Sequence, residues 1–260
     1  MNKVMTIFVA LGALLVWVGV AFASDMADPC SAITLASLRQ QVPIPPATIL
    51  SKKAVAGMCE VILDIRGQYV PVYAGPDYVI AGEMFKDRRQ VTQKTITGLR
   101  AKRFRALKRE VDKCVAMTLK PSSGKVDKTV YMITDPVCPF CHRAESRLRE
   151  FADKYGAEFK LILYSVHPPV GRRKAVEAVC RGLSAEAYLD GKWKQENLTD
   201  KYQCKAGADL IKRTEQLVRK LGVRGVPMFY LSDGTLVQGA NMPALVRALS
   251  SGKLRVSSAK

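Results

Sequence analysis

Hydrophobic and polar positions alternate with two different periods along this chain. Between residues 25 and 92 the apolar runs are short. Those at 60–64, 69–73 and 78–85 read as strands, separated by turn residues at Arg66-Gly67 and Gly75-Pro76-Asp77. A helical stretch near 33–40 and a proline-rich connection, Pro43 to Pro46, precede them. Such a small antiparallel sheet has little core of its own and would gain by pairing its edge with a second copy. The segment 98–117 is helical and basic, with Arg100, Lys102, Arg103, Arg105, Lys108 and Arg109, and reads as a solvated helical linker. Pro121-Ser122-Ser123-Gly124 ends it and marks a boundary.

Beyond residue 125 the periods lengthen. A strand at 129–134 leads into a helix whose apolar positions are Cys141, Ala144, Leu148, Phe151 and Tyr155. A second strand at 158–166 follows, then helices at 173–181, 185–190 and 208–221, the last closed by Gly222 as its C′ residue. Runs at 228–231 and 235–238 flank Ser232-Asp233-Gly234, a hairpin signal, and a helix near 243–249 completes the order. The fold class is mixed α and β: a β-α-β unit, then α-β-β-α, with an inserted helical region.

The N-terminus bears on compartment. Lys3 precedes an apolar stretch, 4–20, and the small-x-small tripeptide Ala21-Phe22-Ala23 follows, so residues 1–23 read as a cleavable secretory signal. An uncleaved membrane anchor is the rival reading, because the run is long. Either way the rest of the chain is expected to be exported, to a bacterial periplasm where disulfides persist. The formal charge of +18 suggests acidic partners, anionic headgroups or nucleic acid. The basic residues are spread along the chain rather than interleaved with aromatics in one patch, which argues against nucleic acid and for a solubilising surface.

Chemistry concentrates at Cys138-Pro139-Phe140-Cys141. Two thiols at a helix start can exchange one disulfide between themselves and a partner, and a helix N-terminus favours a thiolate at the first of them. Pro139 suits the first helical position, which makes Cys138 the N-cap and the exposed nucleophile, with Cys141 its inward partner. The same letters with His142 spell C-x-x-C-H, the attachment motif of c-type haem, with His142 as axial ligand. A zinc site is the weaker reading, since there is no second C-x-x-C. No metal or other cofactor is expected. Of the seven cysteines, Cys180 and Cys204 flank the helical excursion and are paired as a structural disulfide. Cys30 with Cys59 is a second possible bridge, although spacing does not fix connectivity, and Cys114 is left over.

With these residues placed, the chain resembles the bacterial periplasmic disulfide isomerases of the DsbC/DsbG type over nearly all of the sequence after residue 23. The resemblance is most specific at Thr134-Asp135-Pro136-Val137-Cys138-Pro139-Phe140-Cys141-His142 and at Gly222-Val223-Arg224-Gly225-Val226-Pro227. It implies a thioredoxin-like catalytic domain over 125–260, a helical linker over 93–124 and a cystatin-like dimerisation domain over 24–92. By the same resemblance Pro227 is cis and faces the redox pair, Val226 offers backbone groups to a substrate, and Pro139, Phe140 and His142 line the site. A structural disulfide at Cys180 and Cys204 also fits the family. Implied partners are misfolded disulfide-containing exported proteins, a DsbD-like membrane reductase as electron donor, and a second copy of the chain. Chaperone-like client binding is implied as a secondary activity, and a non-enzymatic chaperone is the alternative from another class. Two departures stand out: Cys30, Cys59 and Cys114 are not part of the family's core pattern, and Pro139-Phe140 and Val226 differ from the best-known isomerase.

Overall fold

A computed structural model describes residues 28–251, so the expected signal, 1–23, lies outside the described residues. Strands β1 (Thr48–Val55), β2 (Met58–Ile65), β3 (Gln68–Ala74) and β4 (Val79–Ala81) form an antiparallel meander in that order. β1 was not signalled by the sequence, because Ser51-Lys52-Lys53 at its centre gives no apolar run. Backbone pairing with β2, from Thr48 opposite Asp64 to Val55 opposite Met58, makes it a strand. Helix α1 (Leu35–Gln41) starts with Thr34 and Ser37 capping one another and buries Leu38. Leu38 joins Ile33, Val61, Leu63 and Val72 in a small core, which a disulfide between Cys30 and Cys59 crosses. The 78–85 run gives only three-residue β4 and then β5 (Phe85–Lys86), which pairs with β6 (Arg89–Gln90) across the positive-φ residues Asp87 and Arg88.

The linker is not one solvated helix. It consists of α2 (Val91–Ala106), α3 (Lys108–Asp112) and a strand, β7 (Met117–Leu119). At its start, α2 is fastened to the first sheet. Thr95 Oγ1 donates to buried Glu60 at 2.7 Å, and Tyr73 bonds both Glu60 and Thr92. At its end, Phe104 is fully buried, stacked on Tyr230 at 4.5 Å and edge-on to Tyr131 at 5.6 Å. Of the basic residues Lys102, Arg105 and Arg109 are exposed, while Arg103 and Lys108 turn back to pair with Asp64 and Asp112, and the helix between them is a packed element.

The second sheet has the order β11-β10-β8-β9-β7, built from β8 (Lys128–Thr134), β9 (Ala157–Leu163), β10 (Met228–Leu231) and β11 (Leu236–Gln238). Only β8 and β9 are parallel, as the crossover through α4 (Pro139–Glu145) and α5 (Leu148–Tyr155) requires. β7 pairs with β9, Met117 opposite Leu161, so this sheet takes in residues before 125, within the span expected to be linker. β8 is buried on both faces: Val130 and Met132 face one core with Phe151, Val176 and Leu245, while Tyr131 and Ile133 face another with Phe104, Leu217 and Val218.

Helix α6 (Val170–Cys180), α7 (Ala185–Asp190) and α8 (Lys205–Leu221) form the insertion and its return, and α9 (Met242–Ser250) closes the chain. Cys180 ends α6, Cys204 caps α8, and a disulfide joins them across 24 residues of sequence. Buried Glu177 holds Lys174 at 3.1 Å and Arg181 at 2.7 Å along α6. These two cations tie the excursion down, Lys174 Nζ donating to Glu196 O at 2.7 Å and Arg181 pairing with the Glu196 carboxylate. Replacing both Cys180 and Cys204 with alanine is expected to lower stability by about 3 kcal/mol, the chain entropy a loop of this length restores to the unfolded state. A urea midpoint unchanged from the parent would contradict that. α8 ends at Gly222, whose φ of 66° is the left-handed conformation glycine adopts without penalty. There it meets Gly67 of the β2–β3 turn: a Cβ on Gly222 would lie 2.0 Å from the Gly67 carbonyl oxygen.

Candidate active site

β8 ends at Thr134, and the chain turns through Asp135-Pro136-Val137 before α4 begins. Cys138 is the N-cap with extended backbone (φ −84°, ψ 121°), and Pro139 occupies the first turn. Cys138 N–H donates to Asp135 O at 3.1 Å, and His142 N–H donates to Cys138 O at 3.1 Å. The expectation of an exposed nucleophile needs correcting: Cys138 is only 4% exposed, against 0% for Cys141. Both are free thiols. The exposed group beside them is Phe140, at 55%, with the Arg143 guanidinium 4.5 Å above its ring. The expected single helix is two, because Ser146 Oγ donates to the Arg143 carbonyl at 3.0 Å and Arg147 N–H donates to Ala144 O, three residues back, at 3.1 Å.

Cys141 points into the protein. Burial pushes its thiol well above the ordinary range, and the Thr134 hydroxyl and the Asp135 N–H, 3.4 Å from Sγ, offset this only in part. The neighbouring Cys138 pushes it further up. A pKa raised on folding contributes stability that is complete below the ordinary thiol value of 9.0 and is lost as pH climbs toward the folded value. The fully reduced protein should therefore lose more stability between pH 8 and pH 10.5 than a Cys141→Ala variant does. Equal slopes in urea titrations across that window would contradict the burial argument, because tyrosines titrate in both proteins.

Beneath Cys141 lies a buried polar network that sequence reasoning missed. Glu145 is 3% exposed and accepts from Thr134 Oγ1 at 2.7 Å, Tyr188 OH at 3.1 Å and Lys194 Nζ at 2.6 Å. Burial, then the Glu145 carboxylate, hold the Tyr188 hydroxyl well above its usual range. A second network grips the turn before Cys138. Fully buried Asp135 accepts from Val137 N–H at 3.0 Å, Val166 N–H at 2.8 Å and Ser165 Oγ at 3.1 Å, with His167 Nδ1 at 2.9 Å. The only advance signal for Asp135 and Glu145 was a charged residue placed where the apolar pattern predicts core.

His142 is exposed, yet its Nε2 lies 2.6 Å from Pro136 O. That bond occupies the nitrogen a haem iron would need, and the two thiols are packed rather than offered to a porphyrin edge. Val226 and Pro227 are joined by a cis bond immediately before β10. β10 pairs antiparallel with β8, Met228 opposite Ile133, so Val226-Pro227 and the Cys138 turn leave the sheet at the same end. Val226 is half-buried and Pro227 buried. Cys114 is a buried free thiol, raised by that burial, in the core between α3 and α8.

A C-x-x-C dithiol capping the helix after the first strand of a β-α-β unit, opposite a cis-proline loop, defines a thiol–disulfide oxidoreductase of the thioredoxin fold. Residues 115–250 match the family of thioredoxin-like domains, and the chain belongs to that family. No curated protein sequence matches it. Among solved structures it is similar to a linker-deleted mutant of ScsC from Proteus mirabilis, at 14% identity and a TM-score of 0.52, over 63% of this chain and 86% of that one. It is also similar to the thiol-disulfide exchange protein alpha-DsbA2 of Wolbachia pipientis, at 16% and 0.47 over 60% and 97% of the two chains. Helicobacter pylori DsbG gives 18% and 0.38 over 71% and 93%. The first of these supports the fold. Among the described residues no helix is long and apolar enough to cross a membrane.

Proposed function

We propose that the chain is a periplasmic thiol:disulfide interchange protein that isomerises or reduces incorrect disulfides in exported proteins. The observation that carries this reading is the asymmetry of the dithiol: Cys138 caps the helix beside exposed Phe140, while Cys141 is wholly buried with a raised thiol. In this mechanism the Cys138 thiolate attacks a client disulfide, forming a mixed disulfide and releasing one client thiolate. If a client thiol displaces Cys138, the client is isomerised with no net electron transfer. If Cys141 attacks instead, Cys138 and Cys141 are oxidised and the client leaves with two thiols, so two electrons must come from a donor, a DsbD-like membrane reductase. Phe140, Pro139 and His142 are the client-facing surface of the helix start, and Val226 offers its backbone to an extended client segment at the cis-Pro227 loop.

The second half of the proposal is a homodimer formed through the first sheet. β4 is an edge strand, and Ile80 on it is 53% exposed. Two dithiols over one cleft would hold a misfolded client through repeated exchange, with chaperone-like binding as a by-product. The test is scrambled-disulfide refolding and insulin reduction side by side, on the parent and on Ile80→Asp, with light scattering for mass. A monomeric Ile80→Asp that reduces insulin normally but isomerises poorly is the expected result. A parent that is already monomeric, or a monomeric variant that isomerises equally well, would sink the dimer reading. A protein that binds clients but catalyses neither reaction would be a chaperone instead.

A further inference from the structure

The excess positive charge has no part in the dithiol chemistry, but it is not spread evenly. A concavity of about 700 Å³ lies between β1, the β5–β6 hairpin and α2, and Lys53, Lys86, Arg89, Lys94 and Lys102 all line it. Asp87 is the only carboxylate in that lining. None of the five cations is in an ion pair among the described residues, whereas Arg103 and Lys108 further along the same segment are paired with Asp64 and Asp112. The start of α2 adds to the field. Its first turn holds no acidic residue and its N-cap, Gln90, makes no side-chain cap bond, so the helix end adds positive field beside Lys94, although Val91 N–H donates to Met84 O and Gln93 is bonded to Glu83.

From this arrangement we infer that the concavity is a binding site for a small anion carrying two or more phosphate groups. Its volume is within the range of ligand pockets, about 300–1,000 Å³, and its mouth is wide open to solvent. Four of its five cations are lysines. An ammonium is a compact charge with three rotatable donors, suited to the tetrahedral oxygens of phosphate, while planar carboxylates favour the fixed fork of arginine. One phosphate would leave most of the five charges unmatched, so the ligand is multiply charged.

The test is calorimetric titration of the full chain with inorganic tripolyphosphate at low salt. Saturable one-to-one binding is expected. A Lys94→Gln/Lys102→Gln variant should bind about tenfold more weakly or worse, since two charge-assisted bonds are lost. Both lysines are exposed and belong to neither the Cys138 turn nor the cis-proline loop, so the variant's insulin-reduction rate should match the parent's, which also reports that it folds. Absence of saturable binding, or unchanged affinity in the variant, overturns the site. So does equal affinity for polyglutamate, which would mean unselective attraction of charge. Binding to phosphatidylglycerol vesicles that tripolyphosphate cannot displace would assign the face to a membrane and likewise overturn it.

Discussion

Cys138→Ser is expected to reduce disulfide reduction and isomerisation to the uncatalysed background, while leaving the fold intact. The serine hydroxyl is nearly isosteric with the thiol, and Cys138 sits at a helix N-cap, where serine is among the favoured residues. No other thiol can substitute. Cys141 and Cys114 are free, but burial raises both thiols and neither caps a helix, so neither offers a populated thiolate at neutral pH. Cys141→Ser should give the complementary result, an enzyme that still attacks but cannot resolve, so that mixed disulfides with a client accumulate. Insulin turbidity and non-reducing electrophoresis read the two outcomes. Residual turnover in Cys138→Ser within about tenfold of the parent would move the nucleophile elsewhere.

The largest stability loss is expected from Phe104→Ala, about 3–5 kcal/mol. The ring is wholly buried where α2 crosses the second sheet, stacked on Tyr230 and edge-on to Tyr131. Truncation removes its burial and both aromatic contacts, and leaves a void between elements that other contacts hold apart. The urea midpoint should fall with the slope nearly unchanged. A loss below about 1 kcal/mol would mean that α2 is dispensable to the second core, as a solvated spacer would be.

How much of this was legible in advance follows the range of the forces involved. The β8 run, the amphipathic α8 and the glycine that ends it announce themselves locally, and so does the dithiol at a strand–turn–helix junction. Polar β1 is a strand only because β2 lies beside it, and β7 only because β9 does; neither fact is written in its own residues. Phe104 reads in sequence as one apolar residue among arginines, and its burial depends on Tyr131 and Tyr230 arriving from two distant strands. Asp135 and Glu145 show in sequence only as charges at core positions, with no hint of their partnership, since Val166, His167, Tyr188 and Lys194 come from the loop after β9 and from the insertion. The low exposure of Cys138 is likewise set by the chain folded around it.

The meeting of Gly67 with Gly222 bears on how this protein can be recombined. Each glycine has a positive φ, and a Cβ on either would strike the other segment's backbone: 2.6 Å from Arg219 O for residue 67, and 2.0 Å from Gly67 O for residue 222. A methyl group at either position would act as a wedge between the first sheet and the last long helix. Chimeras that graft a foreign N-terminal half onto this dithiol unit must therefore carry a side-chain-free turn in register with Gly222, whatever else they match. In a library of such grafts, survivors should be sorted by that one position more sharply than by overall similarity.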